Sequence, residues 1–199
     1  MEPDAVRGRD FSPAAGDALL IVDVQCDFLP GGALAVPDGD AIIEVLNRYA
    51  AAFERLKLPV VVVRDWHPVN HISFRELGGP WPAHCVAGTR GAQLPPSLHL
   101  PAYAHVLSKG AQPEADRDSA FEGTRLAALL RREGCRRVFV GGLATDYCVR
   151  ATARDALREG FQVVVLEDAV RAVNLRPDDG AHALAELVRR GARLMRLAA

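Results

Sequence analysis

The sequence has no apolar run of the roughly 18 residues that a membrane-spanning helix needs. Its four cysteines, Cys26, Cys85, Cys135 and Cys148, are widely spaced and contain no CxxC pair. Residues Met1–Asp10 lack the apolar core of an export signal. A disulfide framework is therefore not expected, and a reducing cytoplasm is. Charge of one sign is not in excess. The formal net charge of -1 gives no global field that would draw nucleic acid or an anionic membrane. Internal repeats and low-complexity tracts are absent. The stretch Gly141-Gly-Leu-Ala-Thr145 follows an apolar segment but is not GxGxxG, which disfavours a pyridine-nucleotide reductase.

What is present fits a single globular domain. The chain has 199 residues, enough to bury a sound core, with 49% hydrophobic and 25% charged residues. Residues 1–16 are expected to be a flexible lead-in and 17–199 the domain. Short apolar segments alternate with helical patterns. Strands are predicted at Ala18–Val24, Pro59–Arg64, His105–Lys109, Arg137–Gly142 and Gln162–Glu167, with Arg193–Arg196 a sixth at the edge. Four of them are rich in Val, Ile or Leu, as strands buried on both faces are. Helices are predicted at Asp40–Leu56, Ala120–Glu133, Thr145–Glu159 and Asp178–Arg190. Asp178 is placed as an N-cap, and Gly134, Gly160 and Gly191 as helix stops. The fold class is α/β, a three-layer α/β/α domain with a mostly parallel central sheet. Residues 66–102 break the rhythm, and a loop so long in a compact domain is usually functional.

Three reactive residues fall at the ends of apolar segments. Asp23 closes the first and Lys109 the third. Cys148 opens the helix after the fourth. In a parallel sheet all three meet in the crevice at the strands' carboxyl ends. A helix N-terminus lowers a thiol pKa and its N–H groups can hold an oxyanion. Asp23 would be the general base, and Lys109 would hold it ionised. The bland alternatives are a buried apolar cysteine, a structural carboxylate and a surface lysine. A nucleophilic aspartate of the phosphatase type would normally have a second Asp two residues on, where this chain has Gln25. Asp65, His67 and His84 form a second cluster with metal-ligand chemistry. Two histidines and one carboxylate suit Zn²⁺, Fe²⁺ or Mn²⁺. His71 is either a fourth ligand or a group behind the ligands. A hydrogen-bonded loop cluster without metal is the competing reading. Phe28 and Trp81 could line a slot for a flat ring, or be core.

Taken together, these pieces resemble the nicotinamidase branch of the isochorismatase-like cysteine hydrolases, from about Ala18 to Val173. The segments are Val22-Asp-Val-Gln-Cys-Asp-Phe-Leu-Pro-Gly-Gly-Ala-Leu-Ala-Val36, Arg64-Asp-Trp-His-Pro68 with Asn70-His-Ile-Ser-Phe74, Trp81-Pro-Ala-His-Cys85, Lys109-Gly110 and Gly141-Gly-Leu-Ala-Thr-Asp-Tyr-Cys-Val149. The resemblance implies a catalytic triad of Asp23, Lys109 and Cys148, and metal ligands Asp65, His67 and His84, with His71 matching a position that ligates in some members. It implies a cis Leu143–Ala144 peptide and an oxyanion hole from the N–H groups of Ala144 and Cys148. Phe28 and Trp81 would sandwich a pyridine ring. The implied reaction is hydrolysis of nicotinamide, and also of pyrazinamide, to the acid and ammonia, in NAD salvage. Zinc is the expected metal. The partner is a small molecule, not nucleic acid or membrane, and a homo-oligomer is compatible with the family. Three places depart from the family pattern: Cys26, where Asn is common, Asp118, where Tyr is common, and the slightly divergent stretch Gly88-Thr-Arg-Gly-Ala92. The rivals are a cysteine amidase for another small amide or carbamoyl compound, and a non-catalytic metal or thiol redox module.

Overall fold

The computed structural model describes residues 11–197 of the chain. Most of the expected lead-in, residues 1–10, lies outside the described residues. Phe11 packs edge-on against Tyr49 and Phe139, with ring centroids 4.8 and 5.8 Å away.

Six strands form one sheet: β1 (Asp17–Val22), β2 (Val60–Asp65), β3 (His105–Lys109), β4 (Arg137–Leu143), β5 (Gln162–Arg171) and β6 (Arg193–Met195). Every pairing is parallel, in the order β3-β2-β1-β4-β5-β6. The chain moves outward from β1 through β2 to β3, then returns to place β4 on the other side of β1. The reversal falls between β1 and β4, and a crevice opens there beyond the strands' carboxyl ends.

Alternation along the central strands sorts the core into two layers. Leu19, Ile21, Val60, Val62 and Phe139 face one side. Leu20, Val22, Val61, Val63, Val138 and Val140 face the other. Helix α1 (Ile43–Arg55) covers the first face with Ile43, Leu46, Tyr49, Ala50 and Phe53, which recur at helical spacing. Helices α2 (Leu126–Arg132), α3 (Arg150–Arg158) and α4 (Asp179–Arg189) cover the second with Leu126, Leu130, Ala153, Ala156 and Leu187. Gly134, Gly160 and Gly191 follow these helices with positive φ, as their stop role requires.

Several boundaries differ from expectation. Helix α2 begins six residues after Ala120. The Thr124 hydroxyl donates to the Ala120 carbonyl at 2.6 Å and accepts the Leu126 N–H at 3.1 Å, a local turn that delays the helix. Asp178 precedes α4 but sits in the left-handed region, and its side chain caps nothing. Strand β5 runs on to Arg171, past the expected Glu167. The register between β4 and β5 shifts after Val140, and Gly142 and Leu143 then pair with Val170 and Arg171. Gly142 has φ +125°, and a Cβ there would lie 2.0 Å from the Val22 carbonyl oxygen. Only glycine lets β4 leave the sheet so close to β1.

Candidate active site

Asp23 is the first residue beyond β1 and has φ +52°. A non-glycine residue there is held by its surroundings, at a cost of roughly 1–3 kcal/mol. Its N–H donates to the Val63 carbonyl at 2.8 Å, fixing the turn, and the side chain is fully buried. Lys109 ends β3 and is also buried. Its Nζ stands 2.9 Å from Asp23 Oδ2, 2.6 Å from Asp65 Oδ1 and 3.5 Å from Cys148 Sγ, and donates to the Arg117 carbonyl at 3.1 Å. One ammonium thus joins two carboxylates and the thiol. Neither Asp23 oxygen receives a well-aligned hydrogen bond. Oxygens of Asp23 and Asp65 and Cys148 Sγ lie within 4.8 Å of one another. The three residues expected in one crevice are brought together there.

The electrostatics follow from burial. Asp23 is pushed up to about 7, first by desolvation and then by the Asp65 charge, with Lys109 pulling the other way. Burial alone would depress Lys109, but Asp23, Asp65 and Cys148 outweigh it and hold the ammonium charged. Burial would raise Asp65 too; Lys109 and His67 overcome that and keep it a carboxylate. The Cys148 thiol is driven well above its usual value by desolvation, against the pull of Lys109. This corrects the expectation of a thiol lowered by a helix N-terminus. Cys148 does not open a regular helix. It lies in a single wide turn, Thr145–Val149, with Tyr147 at non-helical φ/ψ, and α3 starts only at Arg150. The resting pair is a protonated thiol beside a carboxyl group whose pKa burial has raised.

Asp65 ends β2, and His67 follows it in a short bridge to Val86. His84 comes from the long loop. One potential ligand atom from each of the three lies within 4.8 Å of the others, and all three are buried. Their hydrogen bonds prepare the histidines for a metal. His67 Nδ1 is 3.0 Å from the Gly110 carbonyl and His84 Nδ1 is 2.8 Å from the Pro82 carbonyl. A carbonyl can only accept, so Nδ1 carries a proton in each ring, and in the neutral ring Nε2 is left with the lone pair that a metal would take. Gly110 has φ +65°, and a Cβ there would press to 2.5 Å from the His67 ring. The donor set fits a divalent metal with open coordination positions. His71 stacks beside His67 at 4.0 Å, but its own nitrogens contact Ser73 Oγ at 2.7 Å and the Ala115 carbonyl at 3.3 Å. Both of its nitrogens are thus engaged beside the Asp65, His67 and His84 cluster.

Two residues of the β1 exit, Gln25 and Asp27, fix the backbone beside Asp65 and His84, and local sequence pattern marks neither. Gln25 is fully buried. Its amide accepts the Asp65 N–H at 2.8 Å and donates to the Asp65 carbonyl at 2.8 Å and the Ala92 carbonyl at 3.1 Å. Asp27 Oδ2 accepts the Cys85 N–H at 2.7 Å, next to His84, and Oδ1 accepts the Ala33 N–H at 3.2 Å. On the Cys148 side, buried Asp146 accepts the Val173 and Asn174 N–H groups at 3.0 and 2.8 Å, tying the Cys148 turn to the end of β5. These side chains act on backbone far along the chain, so local pattern carries no trace of them.

The cavity beside these groups encloses about 550 Å³, its open mouth included. Phe28, Leu34, Val36, Trp81, Leu143 and Val173 give it apolar walls, and Asp65, His67, His84 and Cys148 its polar end. The Trp81 and Tyr147 rings meet edge-on at 5.3 Å. Phe28 lies 5.6 Å from the His84 ring. Ala144 lines the cavity next to Cys148, and the Leu143–Ala144 peptide is cis. Asp118 lies at the mouth. Cys26 is half-buried, and all four cysteines are free thiols.

A parallel sheet with a thiol, an ion-paired carboxylate and a three-ligand cluster at its switch point defines a class of hydrolase-like folds, and comparison with known proteins places the chain within it. The chain belongs to the isochorismatase domain family, whose model matches residues 17–199. It is 43% identical to the nicotinamidase of Escherichia coli strain K12 over 202 residues, covering 91% of this chain and 95% of that one. The pyrazinamidase of Pyrococcus horikoshii, solved in complex with zinc, superposes with a TM-score of 0.88 at 49% identity, covering 92% of this chain and 99% of that one. PnC1 of L. infantum, solved in complex with nicotinate, gives a TM-score of 0.85 at 42% identity, covering 94% and 96%.

Proposed function

We propose that this chain is an amidohydrolase that converts nicotinamide to nicotinate and ammonia through a thioester on Cys148. Pyrazinamide, which differs by one ring nitrogen, belongs to the same substrate class. The observation that carries the reading is the shared Lys109 ammonium, which ties Asp23 and Cys148 to the Asp65 end of the metal cluster in one cavity. Identity of 40–43% to nicotinamidases over 79–91% of the chain supports it.

In this mechanism the Cys148 thiol gives its proton to Asp23, whose Oδ2 faces the Lys109 ammonium at 2.9 Å. A base with a pKa of about 7 suits that exchange near neutrality. The thiolate attacks the amide carbonyl carbon, and the N–H groups of Ala144 and Cys148 receive the oxyanion. Asp23 returns the proton to the departing nitrogen, and ammonia leaves a thioester. Asp23 then takes a proton from water, the resulting hydroxide attacks the thioester, and the thiol is regenerated as the acid departs. Lys109 stays charged throughout and keeps Asp23 and Asp65 from repelling each other. Asp65, His67 and His84 would hold the metal, Zn²⁺ by preference, and when bound it supplies a fixed point that orients the pyridine ring nitrogen. Phe28 and Trp81 grip the ring faces. Four free thiols suit a reducing cytoplasm, and among the described residues no helix is long and apolar enough to cross a membrane.

The test is ammonia release from nicotinamide by zinc-loaded protein, with pyrazinamide and a simple aliphatic amide alongside. Selective release from the two ring amides is expected. Release from the aliphatic amide alone would overturn the pyridine assignment while leaving the cysteine chemistry in place.

A further inference from the structure

The reaction turns a neutral amide into a carboxylate inside an enclosed cavity, and the mouth of that cavity carries an acidic side chain with no function in the chemistry above. Asp118 lines the mouth together with Asp116 and Arg117. No hydrogen bond or ion pair holds the Asp118 carboxylate among the described residues, whereas most other acidic groups near the site are occupied. Asp27 and Asp146 each accept two backbone N–H groups, and Asp23 and Asp65 share Lys109. The neighbouring cation does not neutralise it. The Arg117 carbonyl points inward to Lys109 Nζ, while its guanidinium runs over Gly123 and donates to Gln112 Oε1 at 3.2 Å. The Asp118 charge is felt at the reacting end, where it adds to the rise of the Cys148 thiol; Asp118 itself is raised first by burial and then by Asp116 and Asp65, with the buried Lys109 ammonium pulling the other way.

We infer that Asp118 is a specificity-determining residue that selects against carboxylate ligands, favouring entry of neutral amides and departure of the acid product. This rests on the amide hydrolysis proposed above. Asp116 and Asp118 are exposed at the mouth, so the repulsion is screened by solvent and salt, but it still falls on the anionic product and not on the neutral substrate. The same repulsion disfavours ring amides that carry a second, ionised carboxyl group. Asp116 adds negative charge to the same lining, so the selection is by charge.

The experiment measures binding of nicotinate and of its neutral analogue pyridine-3-methanol to the zinc-loaded protein by calorimetry at low ionic strength, where screening is weak. Asp118→Asn keeps the side-chain size and removes the charge. Nicotinate is expected to bind the variant roughly 3- to 10-fold more tightly than wild type, with pyridine-3-methanol unchanged. A nicotinate affinity that stays the same, or an equal change for both ligands, overturns the inference. Asp118→Glu, which restores the charge, is expected to return nicotinate to weak binding; tight binding in that variant also counts against it. Because the readout is equilibrium binding, an enzyme that releases ammonia from nicotinamide but shows no charge selection refutes this inference alone. Absence of release from nicotinamide refutes the parent reading.

Discussion

Replacing Asp23 by asparagine should make the metal-free protein more stable as pH rises, while removing its activity. Asp23 is fully buried, and its pKa is raised from an ordinary 3.8 to about 7, mainly by desolvation. In the unfolded chain the group ionises near 4. Between pH 4 and 7 the folded state therefore holds a proton that the unfolded state has lost, and stability declines as pH increases. The contribution is full below the unfolded value and is gone once pH has passed the folded one. The whole displacement corresponds to roughly 4 kcal/mol as an upper bound. Asparagine never ionises, so the variant escapes the decline. Other titrating groups are common to both proteins and largely cancel in the comparison. The stability gap should widen in the variant's favour by roughly 2–3 kcal/mol between pH 5 and pH 8. Urea unfolding of both proteins at a series of pH values reads it directly. Parallel stability curves across that range would refute the placement of Asp23 as a carboxylate raised by burial.

Gln25→Ala removes three hydrogen bonds and leaves the Asp65 N–H and two carbonyls unpaired in the interior. It should cost roughly 2–4 kcal/mol of stability and weaken zinc retention; unchanged zinc content after dialysis against a chelator would remove Gln25 from ligand positioning. His84→Ala should lower zinc content, measured by elemental analysis, and raise KM for nicotinamide more than it lowers kcat. Gly142→Ala should fail to fold or lose most of its thermal stability, because the added Cβ meets Val22 backbone at 2.0 Å; a native melting curve would contradict the close passage of β4 past β1.

The sheet and the meeting of Asp23, Lys109 and Cys148 were legible because both depend on local pattern. Buried parallel strands read as continuous Val, Ile and Leu runs, and a reactive residue at the end of such a run must lie at the sheet's carboxyl edge. Asp65 and His67 were legible for the same reason. What escaped depends on side-chain and backbone geometry that residue spacing does not show. The extension of β5 to Arg171 follows from the register shift opposite Val140 and Gly142. The late start of α2 follows from a single Thr124 hydroxyl. The wide turn at Cys148 cannot be told from a helical first turn by spacing. Gln25 and Asp27 look like ordinary polar loop residues, since their partners Asp65 and Cys85 lie 40 and 58 positions away. The direction of the Cys148 shift was misjudged because a sequence shows a helix start but not the depth of burial.

The central claim is that Cys148 carries the acyl group. Acid quenching during turnover of nicotinamide, followed by digestion and mass spectrometry, tests it most directly. The account predicts a single nicotinoyl group on the peptide that contains Cys148, and neither adduct nor ammonia release in a folded Cys148→Ala variant. Ammonia release that persists in Cys148→Ala, or an adduct on another residue, would contradict it.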